Sequence, residues 1–252
     1  MNAMEEPRTR KMNTAYRVLL LDIDDTLLDW KATERAALQA IFPVYGVPCD
    51  VHSTAVFKET NRKLWAEHEA GRLSREELFD SRFHIVFKQL GKDVDGREAE
   101  TLYRESLNRG AYMIEGADTV CRALAERYTL CAVSNGSYIT QIQRLALSGL
   151  NTFFRDLFIS EKIGSPKPSR AFFEHVFASL PEIPLQAMLI IGDSLEADMR
   201  GGYDAGIDTC WFNPDGTPNT LNIPITHTVR KLSDLTSLLL PPGCRCSLPS
   251  AP

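Results

Sequence analysis

Much of what would place this chain in a functional class is missing from it. The longest apolar stretches, such as Val18–Leu21 and Met188–Ile191, fall far short of the roughly 20 residues a membrane-spanning helix needs. Positive charge is in deficit. Lys and Arg number 28 against 33 Asp and Glu, a net charge of −5, which argues against a nucleic acid polymer or an anionic membrane as the main partner. The first fourteen residues are polar and basic with no signal-peptide core behind them, so residues 1–14 read as a flexible tail in which Met4 and Met12 offer alternative starts. His52, His68, His84, His175 and His227 show no metal-binding spacing and receive no catalytic role. Disulfide signals are absent too. Cys49, Cys121, Cys131 and Cys210 sit among apolar neighbours and read as reduced core residues. The close pair Cys244-Arg245-Cys246 lies in a Pro-rich tail with no second pair or histidine nearby, which disfavours a metal site. A reducing, cytoplasmic location is the expectation. There is no internal repeat.

What remains is an ordinary globular composition, 44% hydrophobic and 24% charged, with an uncommon arrangement of acids. Asp22-Ile23-Asp24-Asp25-Thr26 follows Val18-Leu19-Leu20-Leu21 directly. An ionised carboxylate leaves water at a high cost unless it is paired or coordinates a metal, and clustered like charges raise one another's pKa. One reading is a cation site, with Mg²⁺ the best match to carboxylate and carbonyl oxygens. The other is an acidic N-cap for a following helix, a job that suits Asp and Thr. The pentapeptide alone is compatible with both.

Short β-rich runs recur at Val18–Ile23, Leu130–Val133, Phe158–Ser160, Met188–Ile191 and Thr209–Phe212, with helical patterns between most of them. Arg170–Leu180 is one, carrying Phe172, Phe173, Val176, Phe177 and Leu180 on a single stripe. Alternation of this kind predicts an α/β fold, a doubly wound parallel sheet covered on both faces. The interval from Asp22 to Ser134 is 112 positions (134 − 22), whereas a strand–helix–strand unit takes roughly 30 residues. Most of the excess reads as helix: Thr33–Phe42, Ser53–His68, a segment opened by the capping-box pattern Ser74-Arg75-Glu76-Glu77, and Arg97–Leu107. The predicted organisation is therefore a core of residues 15–29 and 115–240, an inserted all-α domain over 30–114, and a disordered tail over 241–252. Leu232–Leu240 reads as a last short helix, stopped by Pro241-Pro242-Gly243.

Three later segments carry polar chemistry. Leu130–Val133 runs into Ser134-Asn135-Gly136, which offers a hydroxyl and free amides to an anion, or merely a tight turn. Pro166-Lys167-Pro168 holds a lysine just before a helix, where it is a point charge for phosphate or a solvated loop residue. Met188–Ile191 runs into Gly192-Asp193-Ser194, with Asp198 further on. Asp193 is a candidate second metal carboxylate; Asp198 is a candidate orienter of metal-bound waters or of the lysine. A doubly wound sheet gathers the carboxyl ends of its strands on one edge, where ligands bind. Brought there together, these groups are the set needed for phosphoryl transfer through an aspartyl-phosphate.

In this order the four segments resemble motifs one to four of the haloacid dehalogenase-like (HAD) phosphohydrolase superfamily, over roughly Arg17 to Leu240, and the helical insert is similar to its C1-type cap. Within it, Ile163–Pro168, Gly192-Asp193-Ser194 with Asp198, Gly201-Gly202, Ala205-Gly206 and Cys210-Trp211-Phe212-Asn213 resemble the pyrimidine 5′-nucleotidase branch. The resemblance implies a Mg²⁺-dependent phosphatase with a Rossmann-like core. In it Asp22 is nucleophile and metal ligand. Asp24 is general acid, then base, and its carbonyl touches the metal. Thr26 supports the nucleophile's loop. Ser134 and the Asn135 and Gly136 amides hold phosphate oxygens, and Lys167 bridges phosphate and Asp22. Asp193 ligates Mg²⁺, with Asp198 behind it.

Elementary electrostatics requires such a set. One charge pair at 4 Å is worth about 4 kcal/mol at an effective dielectric of 20, so a carboxylate approaching a phosphate dianion costs about 8. At about 1.4 kcal/mol per decade that repulsion slows attack by roughly five to six orders of magnitude unless cations cancel it. Asp24 needs a raised pKa to carry a proton near pH 7. It also speaks against the dehalogenases, whose halide leaving group needs no acid. The substrate expected is a small phosphate ester, a nucleoside 5′-monophosphate of pyrimidine type. The alternatives are phosphoglycolate or a sugar phosphate, or a non-catalytic module that binds a phosphometabolite. On the insert's second helix, Lys58, Arg62, Lys63 and Trp65 read as a solvated basic face with one buried Trp, or else as contacts to the leaving group.

Overall fold

The structure, a computed structural model, describes residues 16–69 and 71–241. The 1–14 tail and, beyond Pro241, the C-terminal tail with Cys244-Arg245-Cys246 lie outside the described residues. Six parallel strands form one sheet in the order β3-β2-β1-β4-β5-β6. They are β1 (Val18–Asp22), β2 (Thr129–Ser134), β3 (Phe154–Ile159), β4 (Met188–Gly192), β5 (Asp208–Phe212) and β6 (His227–Val229). The chain reverses direction across the sheet between β1 and β4, which makes the carboxyl ends of β2, β1 and β4 the place where a ligand fits. Register puts Asp22 of β1 level with Val133 of β2, and Leu21 level with Ile191 of β4. Both β1 and β4 are buried along their whole length, as a strand covered on both faces must be.

Four helices fill the long interval after β1: α1 (Trp30–Ile41), α2 (Val51–Glu69), α3 (Arg75–Gln89) and α4 (Gly96–Arg109). Their apolar stripes close on one another. Leu38, Phe42, Phe57, Phe83, Phe87 and Tyr103 form a buried cluster separate from the two that flank the sheet. The capping box at Ser74 forms as its residue types require, with Glu77 N–H donating to Ser74 Oγ and Ser74 N–H to Glu77 Oε2. The chain returns to the α/β layers through α5 (Ala117–Ala125), α6 (Tyr138–Ser148), α7 (Ser160–Ile163), α8 (Arg170–Ala178), a π-helical turn at Leu195–Arg200, α9 (Gly201–Asp204) and α10 (Asp234–Leu239). Among the described residues no helix is long and apolar enough to cross a membrane.

Several expectations need correction. β3 starts four residues before Phe158, and Ser160 belongs to a helix. This strand lies at the sheet edge with Arg155 and Asp156 turned outward, so only its end has a buried-strand pattern. β6, three residues with a polar start, has no legible hydrophobic signature. The last helix begins at Asp234 rather than Leu232. Lys167 does not follow a strand end directly: α7 and a loop separate it from β3.

Candidate active site

Asp22 ends β1 and is buried. Its Oδ1 accepts a hydrogen bond from Lys167 Nζ at 2.7 Å and its Oδ2 one from Thr26 Oγ1 at 3.0 Å. Lys167 Nζ also donates to Asp198 Oδ1 at 2.6 Å and to the Val133 carbonyl at 3.1 Å, so the lysine is held to three points and cannot wander. Its backbone is clasped by Asn135, whose Nδ2 donates to the Lys167 carbonyl at 2.9 Å and whose Oδ1 accepts from the Lys167 N–H at 2.8 Å. Asp193, one residue past β4, is tied to the same loop: its N–H donates to Thr26 Oγ1 at 3.1 Å, and its carbonyl accepts from Trp211 Nε1 at 2.8 Å. Asp198 sits in the π-helical turn, a rare geometry that recurs at functional sites. Its Oδ2 accepts from the Ser194 N–H at 3.1 Å. A Cβ on Gly192 would lie 2.2 Å from Asp198 Oδ2, so only glycine lets strand and carboxylate approach this closely.

The charge balance is uneven. Asp22, Asp193 and Asp198 can each offer an oxygen within 4.8 Å of the others, and one ammonium, Lys167, stands among them. Burial pushes Asp22 well above the ordinary carboxylate range, against the pull of Lys167. Burial, then Asp198 and Asp25, raise Asp193 to about 7. Burial alone would lower the Lys167 ammonium, but Asp198 and Asp22 outweigh it and leave it raised. Three hard oxygen donors with one cation between them fit a divalent ion of the Mg²⁺ type. Asp198 is the least available, since it is fully buried and its Oδ1 and Oδ2 are taken by the Lys167 ammonium and the Ser194 amide, whereas Asp22 keeps some exposure and Asp193 is only half-buried. The Asp24 carbonyl, on which none of the hydrogen bonds among described residues ends, is a further oxygen.

The acidic pentapeptide divides between its two readings. Asp25, left-handed at φ 57°, accepts from the Trp30 and Lys31 amides at 3.0 and 3.3 Å, and Asp29 accepts from the Ala32 amide at 2.7 Å. They cap α1, while Asp22 enters the charged cluster. The Asp24 carboxylate turns to α6, where the Arg144 guanidinium and Gln141 Nε2 donate to it. Arg144 is fully buried and reaches beyond Asp24, from Nε to the Gly110 carbonyl at 2.8 Å and across the Trp30 ring. Neither Gln141 nor Arg144 stands out in the sequence. The only trace is a polar pair three residues apart on the apolar face of α6, directly after Ser134-Asn135-Gly136.

Ser134 Oγ accepts from Gly136 N–H at 2.9 Å and from Gln141 Nε2 at 2.8 Å, which leaves the hydroxyl proton to donate. The Gly136 amide is therefore engaged inside the loop, unlike its expected role toward an anion. Asp22, Asp24, Ser134 and Lys167 line a cavity of about 420 Å³ whose opposite wall is the helical insert: Asn61, Trp65, Arg75, Phe79, Tyr103 and Arg104. Of the four insert residues singled out from sequence, only Trp65 lines it, half-buried beside Arg75. Arg62 and Lys63 are exposed and pair with Glu59, and Lys58 is exposed. Arg75 reaches across to the α/β layer, 2.9 Å from Glu161.

Known proteins resemble this chain over most of its length. A profile of the haloacid dehalogenase-like hydrolases matches residues 16–206. The HAD-hydrolase YfnB of Bacillus subtilis is 42% identical over 224 residues, covering 89% of this chain and 95% of that protein. The pyrimidine 5′-nucleotidase PynA of Streptococcus pneumoniae is 36% identical over 225 residues, with 89% and 95% covered. A crystal structure of YfnB bound to magnesium superimposes with a TM-score of 0.82 at 41% identity, covering 90% of this chain and all of that one. From the geometry, the matched profile and these relatives together, the chain belongs to the haloacid dehalogenase-like hydrolase family.

Proposed function

We propose that the protein is a Mg²⁺-dependent phosphatase of small phosphate monoesters acting through an aspartyl-phosphate, with a pyrimidine nucleoside 5′-monophosphate as its preferred substrate and the helical insert as its cap. The observation that carries the reading is the Lys167 ammonium held between Asp22 and Asp198 at 2.7 and 2.6 Å. A lysine so fixed keeps one carboxylate oriented and meets the incoming phosphate with positive charge. Asp22, Asp193 and the Asp24 carbonyl would hold Mg²⁺, which would supply the remaining charge neutralisation.

Asp22 Oδ attacks phosphorus and the bond to the ester oxygen breaks. Asp24 gives its proton to the leaving alkoxide, then takes one from the water that attacks the aspartyl-phosphate, which frees inorganic phosphate and restores Asp22. Ser134 donates its hydroxyl proton to a phosphate oxygen, and Asn135 keeps Lys167 in place. Because Asp24 rests against Arg144 and Gln141, the cycle includes its release from at least one of them. PynA, by name a pyrimidine 5′-nucleotidase, supports the nucleotide preference, as do the aromatic rings on the insert wall. Free, buried Cys121, Cys131 and Cys210 accord with a cytoplasmic location.

A second reading has one observation in its favour. Arg104 lines the cavity over Phe79 at 4.6 Å with no carboxylate in ion-pair distance among the described residues. A leaving group with its own carboxylate, as in phosphoglycolate, would suit it. Measuring kcat/KM across UMP, dTMP, phosphoglycolate and sugar phosphates with Mg²⁺ decides between them. Higher values for the nucleotides are expected, and higher values for phosphoglycolate or a sugar phosphate reject the nucleotide reading. If no ester is turned over, the phosphatase reading itself fails.

A further inference from the structure

The insert wall contains one polar group whose orientation is dictated by its neighbours and whose chemistry the catalytic cycle does not use. Arg82 of α3 is buried among rings, its guanidinium 4.8 Å from the Tyr103 centroid. Glu100 of α4 takes two of its donors, Nε at 3.0 Å and Nη2 at 2.6 Å. The third contact, from Nη1 at 2.8 Å, is to Asn61 Oδ1 on α2. A guanidinium has donors only. Asn61 must therefore present its oxygen to Arg82, and the choice between the two ends of its amide is settled by charge. Its NH₂ end makes no hydrogen bond to a described residue, and Asn61 lines the cavity that also holds Asp22 and Lys167.

We infer that Asn61 is a specificity-determining residue: its NH₂ group donates to a ring carbonyl oxygen of the leaving group, fixed in that polarity by Arg82 and Glu100. This rests on the nucleotide reading above and names the contact that selects the base. The acceptor must be planar to lie against the rings of Trp65, Phe79 and Tyr103 on the same wall. Uracil and thymine carry such carbonyls; adenine has none. A site built to donate to one oxygen rejects an analogue lacking it, because the donor is then left unpaired.

The test is Asn61→Asp, which keeps an oxygen for Arg82 and replaces the outward donor by an acceptor. Steady-state kcat/KM is measured with Mg²⁺ for UMP, AMP and ribose 5-phosphate, three esters of the same primary alcohol position. The expected result is a tenfold or larger fall for UMP, with AMP and ribose 5-phosphate changed by less than twofold, so that the wild-type preference for UMP collapses. An equal fall for all three, or no fall for UMP, overturns the inference. Asn61→Ser, which is smaller, should show the same split, and an even loss across substrates in both variants marks a purely structural Asn61. Failure of the underlying reading shows separately, as wild-type enzyme that turns over ribose 5-phosphate at least as well as UMP.

Discussion

Two buried ionic clusters in this molecule look alike in kind and differ in balance. In the helical insert, Arg82 meets Glu100 through two parallel hydrogen bonds and one amide, all inside a shell of rings. One cation faces one anion, and each of the three guanidinium nitrogens donates a hydrogen bond. At the sheet edge, Lys167 faces Asp22 and Asp198 with Asp193 beside them, and burial, reinforced by the neighbouring carboxylates, pushes Asp22 and Asp193 upward. A balanced pair completes itself and ties three helices together. An unbalanced one is left with surplus negative charge, which suits the cation proposed for it. Imbalance, more than burial, marks the reactive site.

The sharpest way to break this contrast is Asp22→Asn. Loss of the nucleophile should lower kcat by about 10⁴-fold or more while circular dichroism and melting stay near wild type. Retained p-nitrophenyl phosphate turnover would remove Asp22 from the chemistry. Next in size, Glu100→Gln should leave Arg82 without its buried counter-charge and cost about 3–5 kcal/mol of stability by urea denaturation. A change under 1 kcal/mol would mean that the insert does not depend on its balanced pair. For the unbalanced cluster, Mg²⁺ at about 100 times its Kd should stabilise the fold by about 2.7 kcal/mol. Differential scanning calorimetry should show the rise in Tm for wild type and little of it for Asp193→Asn. An undiminished shift in the variant would place the ion elsewhere.

The smallest effect also separates the two regions. Burial pushes the Cys121, Cys131 and Cys210 thiols, all in the α/β layers, up to about 12. An unfolded thiol ionises near pH 8.5, so between that pH and about 12 the folded state holds more protons than the unfolded one. Stability is then lost as pH rises. Denaturation at pH 9.5 against pH 7.5 should show a loss on the order of 1 kcal/mol per thiol, and replacing Cys210 by Ala should remove its share. At pH 8, site-resolved alkylation of the native protein should spare these three and, among the cysteines of the described residues, modify the half-buried Cys49 first.

The alternation of strand and helix was legible because β1, β2 and β4 are buried on both faces and read as unbroken apolar runs. β3 and β6 were less so, since edge strands need only partial burial and carry polar residues. Asp22, Lys167, Asp193 and Asp198 stood out by chemistry and placement, and the structure brings all four together. Arg144, Gln141 and Asn61 did not, because each is an ordinary helical residue in the chain and gains its role from a partner at least twenty positions away or on another element. The basic residues Lys58, Arg62 and Lys63 read as a solvated face and do point to solvent, whereas Trp65 beside them, expected to be buried, is half-buried and faces the cavity.

Residue order alone determined that this is an α/β protein with a long helical stretch after its first strand and an acid cluster that suits either a cation or a helix cap, since periodicity and the expense of dehydrating charge are properties of short stretches. Only the folded arrangement decided which of the acids cap a helix and which converge on Lys167. It also decided which end of the Asn61 amide faces outward. Those outcomes depend on hydrogen-bond partners supplied from distant parts of the chain, and no local pattern carries that information.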